Sequence, residues 1–208
     1  MNSAFDSALR ALTITLPLIL SLGGCTVFPT PEPPRLMDFP VPAEVTPLPS
    51  TQPLTLRVDT PFASEPFNSS RILAMPNAYE FRAYGGVRWR DTAPVILRDM
   101  LVEALRGSGA FASVISETNP ANASATLVTD VRAFHTRTRA GQVRAIMGLH
   151  SLIIDNRSRE TLCAREFRAE QAAASDGIED VVVAFGKLAE TVAGELVPWA
   201  SACLRPQG

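Results

Sequence analysis

The chain alternates between hydrophobic and polar stretches that predict a series of β-strands. Residues 54–60 alternate apolar and polar side chains, which is the period of a strand with one buried face. Two stretches, 71–75 and 78–84, flank Pro76-Asn77 and predict a hairpin. A short strand is predicted at 113–117, ahead of an antiparallel meander. The meander has turns at Ala140-Gly141 and at 155–158, and its strands are residues 125–138, 142–155 and 161–172.

Two segments carry hydrophobic residues at the three- and four-residue spacing of an amphipathic helix. The first begins at Asp91-Thr92-Ala93-Pro94, where a capping side chain precedes a proline in the first turn. It is predicted to end at Gly107 or Gly109. The second begins at residues 176–179, which resemble a capping box with Asp176 in the cap position. Its apolar stripe consists of Ile178, Val181, Val182, Phe185, Leu188, Ala189, Val192 and Leu196.

This order of elements predicts one α/β (α+β) domain over residues 54–204. We expect a mixed, mostly antiparallel sheet with the two amphipathic helices on one face. Because two helices cover only one face, the opposite face is expected to meet solvent, a partner or another subunit.

The first residues have the pattern of a secretion signal. Arg10 precedes an apolar run over residues 11–22, which is too short to cross a bilayer core of about 30 Å as a helix. The run ends in Leu22-Gly23-Gly24-Cys25, which resembles the lipobox of bacterial lipoproteins. We therefore predict that residues 1–24 are removed and that the Cys25 thiol receives the lipid. The alternatives are an ordinary signal peptide with a chance cysteine, or an uncleaved anchor.

The residue after the cysteine indicates the destination. Thr26 replaces the aspartate that usually retains a lipoprotein in the inner membrane, so we expect the outer membrane, with the domain facing the periplasm. Residues 25–53 form a proline-rich linker, and prolines favour an extended, semi-rigid spacer. Within the linker, residues 35–39 have the composition of an edge strand.

Composition narrows the classes of function. The net charge is −2, which argues against a nucleic-acid-binding protein, because such proteins carry a basic excess. With 46% hydrophobic and 19% charged residues, the chain is typical of a globular protein. Beyond Cys25, two cysteines remain, Cys163 and Cys203. In a compartment that permits disulfides they form either a bridge or two separate thiols, and the sequence does not favour one over the other.

Candidate chemistry is sparse. His135 and His150 both lie in predicted strands, and no cysteine, histidine or acidic cluster near them has metal-ligand spacing, so we predict no metal, no cofactor and no enzyme activity. The acidic residues form no convincing pair for acid–base chemistry. Four arginines surround the Ala140-Gly141 turn, and a solvated hairpin end is favoured over a site for lipid headgroups. They are Arg132, Arg137, Arg139 and Arg144.

With these residues in view, the chain resembles the ABC-type transport auxiliary lipoproteins, the PqiC-like proteins. The likeness spans most of the mature domain. It rests on the lipobox, on Trp89 and Pro94 ahead of an amphipathic helix, and on the turn at residues 107–111, and it continues to a last helix that ends near Trp199.

The resemblance implies an anticodon-binding-domain-like fold and a non-catalytic part of an MCE-type lipid transport system. In such a system the lipoprotein docks the MCE-domain protein at the outer membrane, and some members assemble into homo-oligomeric rings. Lipidation would add acyl chains such as palmitate at Cys25. Residues of the interface type are Tyr79, Tyr84, Arg88 and Trp89, with Trp89 equally suited to the core.

Two alternatives come from other classes of function. One is a structural or assembly lipoprotein of the envelope that takes no part in lipid movement. The other is a periplasmic hydrolase, which is disfavoured because no nucleophile–base pair is evident.

Overall fold

The computed structural model describes residues 32–39, 47–49 and 51–205. The predicted signal segment and Cys25 lie outside the described residues. The elements are β1 Arg35–Met37, β2 Gln52–Val58, β3 Leu73–Asn77, β4 Glu80–Ala83, β5 Val87–Trp89, α1 Ala93–Gly107, β6 Phe111–Ser116, β7 Ala125–Arg139, β8 Gln142–Asp155, β9 Thr161–Ala172 and α2 Ile178–Cys203.

Strand β7 organises the seven-stranded sheet. It pairs antiparallel with β8 along its whole length, and β9 pairs antiparallel with β8. The other edge of β7 pairs with two strands. Strand β2 lies parallel to its first residues, and β3 lies parallel to Thr136 and Arg137. Between these two strands, Phe62 forms a parallel bridge with Asp130 of β7. Strand β6 extends the sheet beyond β2, and β4 extends it beyond β3. The predicted mixed, mostly antiparallel sheet with two helices is confirmed.

The predicted edge strand in the linker belongs to a different sheet. Strand β1 pairs in parallel with β5, with Leu36 opposite Arg88, and the two form a separate two-stranded sheet. The side chain of Phe39, just after β1, is buried in the hydrophobic core. This segment is therefore attached to the domain by both backbone pairing and side-chain packing.

Local residue chemistry explains the turns. Ala140 and Gly141 both adopt positive φ, 50° and 78°, as a two-residue hairpin turn requires, so this prediction is confirmed. The predicted turn at Pro76-Asn77 is displaced to the next two residues. Pro76 lies at a register shift within β3, where a missing N–H group is tolerated, and the Asn77 carboxamide accepts a hydrogen bond from the Tyr79 amide at 3.0 Å.

The start of α2 corrects the predicted capping box. The N-cap is Gly177 rather than Asp176, and no side chain caps the helix. The Ser175 hydroxyl accepts a hydrogen bond from the Gly177 amide and donates one to the Asp180 carboxylate. Glu179 cannot complete a box, because its carboxylate is paired with Arg35 at 2.6 Å.

The core joins one face of the sheet to both helices. At its centre an aromatic cluster brings Trp89 from β5, Phe134 from β7 and Phe185 from α2 together, with ring centroids 4.7–5.6 Å apart. Trp89 is 1% exposed. Of the two alternatives for this residue, the structure therefore gives the core, and Trp89 leaves the set of interface candidates.

Candidate partner-binding surface

An aromatic hairpin projects from the end of the sheet. Tyr79 lies at the turn between β3 and β4 with 97% of its surface exposed, and Phe81 on β4 is 38% exposed. The turn is held by Glu80, whose carboxylate accepts hydrogen bonds from Arg82 and Asn77, and these bonds lower the pKa of Glu80. The hairpin thus holds exposed aromatic rings in a defined position.

The hairpin packs against the loop that precedes it. The ring of Phe67 lies 5.5 Å from that of Phe81 and 5.9 Å from that of His135 on β7. Phe62, in the same loop, is 69% exposed although its backbone is bridged to β7. We call Phe62, Phe67, Tyr79 and Phe81 the aromatic surface. Only Tyr79 of this set was a candidate from the sequence. Phe62 is placed by its backbone bridge to β7, and Phe67 and Phe81 contact the ring of His135, which is distant in sequence.

His135 supports this surface from below. The side chain is buried, and neither ring nitrogen has a hydrogen-bond partner within the part of the chain that the structure describes. Burial, reinforced by the charges of Arg137 and Arg168, lowers the pKa of His135 to about 4. The imidazole is therefore neutral at neutral pH and acts as a packing group between Phe67 and Phe81.

The sheet face opposite to the helices presents side chains to the outside. We call it the open face and define it by the outward residues of β7, β8 and β9. Its central row places Asp130 opposite His150 and His150 opposite Glu166. An apolar row next to it consists of Val128, Leu152 and Ala164. Sequence alternation identified the strands, but only their register brings these rows together.

Three of the four arginines of the predicted tip lie together, because Arg137 is paired with Arg144 across the hairpin and both line a small cavity with Arg139. Arg132 pairs with Asp130 at 3.0 Å, and Arg144 pairs with Glu170 at 3.4 Å. Arg137 donates to the Met75 sulfur at 3.1 Å. Because two of the four charges are already paired, the structure supports a solvated hairpin end more than a common site for headgroups.

The remaining interface candidates are dispersed. Arg88 is exposed on β5, in the two-stranded sheet. Tyr84 is half-buried, and its hydroxyl shares a hydrogen bond with the Thr136 hydroxyl at 2.9 Å. Tyr84 therefore anchors the hairpin to β7, whereas Tyr79 is free to contact a partner.

Near the other end of the molecule, a disulfide joins β9 to the end of α2. The sulfur atoms of Cys163 and Cys203 are 2.06 Å apart, and their Cα atoms are 6.2 Å apart. A groove of about 500 Å³ beside the bridge is lined by Leu54, Leu162 and Leu204, among others. Of the two alternatives for these cysteines, the structure contains the bridge.

A second, polar groove of about 540 Å³ lies between loops and is lined in part by Arg57, Asp59 and Arg157. Its most buried cation is already committed, because the Arg57 guanidinium donates to the carbonyls of Glu117, Asn119 and Ala121. Burial, followed by repulsion from Glu117, raises the pKa of Asp59 despite the nearby Arg57. We interpret the hydrogen bonds of Arg57 as fixing the conformation of the loop after β6.

The described part of the chain contains neither a cluster of metal-binding side chains nor a helix suited to span a membrane. Within residues 32–39, 47–49 and 51–205, no three cysteine, histidine or acidic side chains are grouped so that they could hold a metal ion. None of the helices in these ranges has the length and apolar character needed to cross a membrane.

Comparison with solved structures identifies the fold. The chain is similar to the DUF330 protein XCC0632 from Xanthomonas campestris, with 26% identity and a TM-score of 0.71, over 76% of this chain and 91% of that one. It also shares its fold with an uncharacterised protein at 14% identity and a TM-score of 0.63, over 81% of this chain and 99% of that one. The hypothetical protein CT253 from Chlamydia trachomatis is 9% identical, with a TM-score of 0.51, over 73% and 97%.

Comparison with protein sequences identifies the family. No curated protein matches the chain. Residues 36–197 match the family model of the ABC-type transport auxiliary lipoprotein component, from β1 to the last turns of α2. The chain therefore belongs to the family of ABC-type transport auxiliary lipoprotein components.

Proposed function

We propose that this protein is a non-catalytic lipoprotein that docks the periplasmic lipid carrier of an ABC/MCE-type transport system at the outer membrane. The observation that carries the proposal is the family match over residues 36–197, which makes the chain an auxiliary component of an ABC-type transporter. The lipobox ending at Cys25, with Thr26 after it, supports an outer-membrane anchor. The partner that we propose is the MCE-domain protein of the same system.

The linker supports a docking role. Between Cys25 and Arg35 there are ten residue steps, and an extended chain covers at most about 3.6 Å per residue. The start of the folded domain is therefore held within about 36 Å of the lipid. Prolines in this segment disfavour collapse, so the spacer keeps the domain within reach of a partner that crosses the periplasm.

The aromatic surface is the proposed contact with the carrier protein. Aromatic residues are enriched at protein interfaces, where a rigid ring contributes large contact area with little loss of side-chain entropy. Tyr79 is almost fully exposed, and the hairpin turn fixes its backbone. Phe62 is largely exposed, and its backbone is fixed by the bridge to β7. Such exposed, preorganised rings have no structural role within the domain.

The test is co-purification of the lipid-anchored chain with an MCE-domain protein of the same organism, in mild detergent. We expect the double variant Tyr79→Ser/Phe62→Ser to reduce recovery of the partner at least tenfold. Val183→Ser, which removes a 52% exposed side chain from α2, is the matched control and should leave recovery unchanged.

Failure of the unmodified chain to retain the MCE-domain protein would contradict the docking role and favour a structural envelope lipoprotein. Retention that is equally strong in the double variant would instead reject the aromatic surface as the contact. Assembly of several copies into a ring, which the family resemblance implies, stays a prediction.

A further inference from the structure

Strand β9 forms one edge of the sheet. It pairs with β8 along its length, with Phe167 opposite Leu149 near its middle. In the described part of the chain no strand pairs with its other side. Alternate backbone N–H and C=O groups of residues 161–172 therefore face outward, and such an edge is a template for another strand.

From Cys163 to Ala172 this edge contains no proline and no bulge. The irregularity of β9 lies outside that stretch, at the extra residue Leu162, where the pairing steps from Cys163 to Thr161. Within that stretch the protection of the edge consists of charges alone. These are Arg165, Glu166, Arg168 and Glu170.

Two of these charges are satisfied inside the domain. Arg165 pairs with Glu195 of α2 at 3.2 Å, and Glu170 pairs with Arg144 at 3.4 Å. Glu166 and Arg168 are exposed on the open face and form no ion pair with any described residue. The edge therefore carries one free negative and one free positive charge, two residues apart.

We propose that β9 pairs with β9 of a second copy of this chain, antiparallel, about a two-fold axis at Phe167. In this register Glu166 lies opposite Arg168 of the second copy, and the symmetry produces this pair twice. Arg165 lies opposite Ala169, and Ala164 lies opposite Glu170. No like charges face each other in this register between Cys163 and Gln171.

Neighbouring registers are less favourable. An axis at Glu166 would place two glutamates opposite each other, and an axis at Arg168 would do the same with two arginines. Directly opposed like charges destabilise a strand pair. An axis at Ala169 would avoid like charges, but it would leave residues 161–165 of the 12-residue strand unpaired and would use Glu170, which Arg144 already holds. The charge pattern thus selects the axis at Phe167.

The contact joins the two sheets into one continuous sheet. The same patch serves both copies, so the assembly closes at two and does not by itself build a ring. It uses β9 and leaves the aromatic surface, beyond the opposite edge of β7, accessible to a different partner. The proposal therefore stands independently of the proposed function.

The experiment measures the protein mass of the mature, lipid-anchored chain in mild detergent by light scattering across a concentration range. We expect a concentration-dependent dimer. Glu166→Arg and Arg168→Glu should each raise the dimer dissociation constant at least tenfold. The double variant Glu166→Arg/Arg168→Glu restores opposite charges across the axis, so its dissociation constant should return to within about threefold of the original.

The matched control is Glu103→Arg, which reverses an exposed charge on α1, away from β9. Circular dichroism on every variant verifies that it is folded. A monomer at all concentrations, a double variant as weak as the single ones, or a larger assembly that ignores both reversals would each overturn the proposal. The assay contains no transporter protein, so its failure is distinct from failure of the docking role.

Discussion

The two faces of the central sheet are built from the same strands, but one is packed against the helices and the other faces outward. On the helix-covered face, Phe134 of β7 lies within an aromatic core with Trp89 and Phe185. On the open face, the neighbouring His135 supports exposed rings, and Asp130 starts a polar row. The comparison shows that strand alternation separates packed from outward-facing side chains, residue by residue. Substitutions on the first face should cost folding energy, and those on the second should cost contacts.

The largest expected effect comes from the helix-covered face. Trp89→Ala should reduce the free energy of unfolding by about 3–5 kcal/mol, because it removes a fully buried ring from a close-packed cluster. Urea denaturation measures the loss. Tyr79→Ala, which removes a smaller and almost fully exposed aromatic ring, should change the same quantity by less than about 0.5 kcal/mol. Similar losses in both variants would mean that the two faces do not differ as described.

The disulfide offers the next largest effect, since it ties β9 to the helix layer. Cys203→Ser should reduce the free energy of unfolding by about 2–4 kcal/mol, by relaxing a loop of 40 residues in the unfolded chain. Reductant should destabilise the original chain by the same amount and leave the variant unaffected. Alkylation followed by mass measurement gives the matching chemical test, and two free thiols in the periplasmic protein would contradict the bridge.

His135, on the open face, should make the free energy of unfolding depend on pH. The folded-state pKa of His135 is about 4 and its ordinary value is 6.5, so the unfolded chain binds the proton first as the pH falls. The stability contributed by the neutral ring is complete above pH 6.5 and is lost progressively as the pH falls toward 4. His135→Phe keeps the packing against Phe67 and Phe81 and should remove this part of the pH dependence.

Urea titrations at pH 7, 5.5 and 4.5 measure the difference between the two proteins. Other groups also titrate in this range, so the informative quantity is the difference in slope. If both proteins lose stability in parallel, His135 is not held neutral in the folded state. His150, on the open face and only half-buried, gives the matched control as His150→Phe.

Local patterns in the sequence were sufficient for most of the fold. The hairpin turn at Ala140-Gly141 and the stripe of α2 depend on nearby residues alone, and both were predicted correctly. The cap of α2 was wrong because Arg35, far away in sequence, pairs with Glu179. The sequence could not decide between a core and an interface position for Trp89, because the rings that surround it come from elements distant in sequence.

The candidate surface was harder to predict than the fold. The row from Asp130 through His150 to Glu166 depends on strand register, and β7 has a register shift between Val131 and Ala133 that no periodicity reveals. Phe62 was missed because it lies in a loop, and its position comes from a single bridge to β7. The surface therefore depends on non-local pairing.

The attachment of β1 has a mechanical consequence. If Cys25 carries the proposed lipid, a pull from the membrane enters the described part of the chain just ahead of β1, whose first residue, Arg35, pairs with Glu179 at 2.6 Å. Residues Arg35 to Met37 of this strand are paired in parallel with β5. Phe39, which is buried in the core, adds a side-chain contact directly after β1. Under the proposed anchoring, tension would therefore act on an ion pair, a strand pairing and a buried ring.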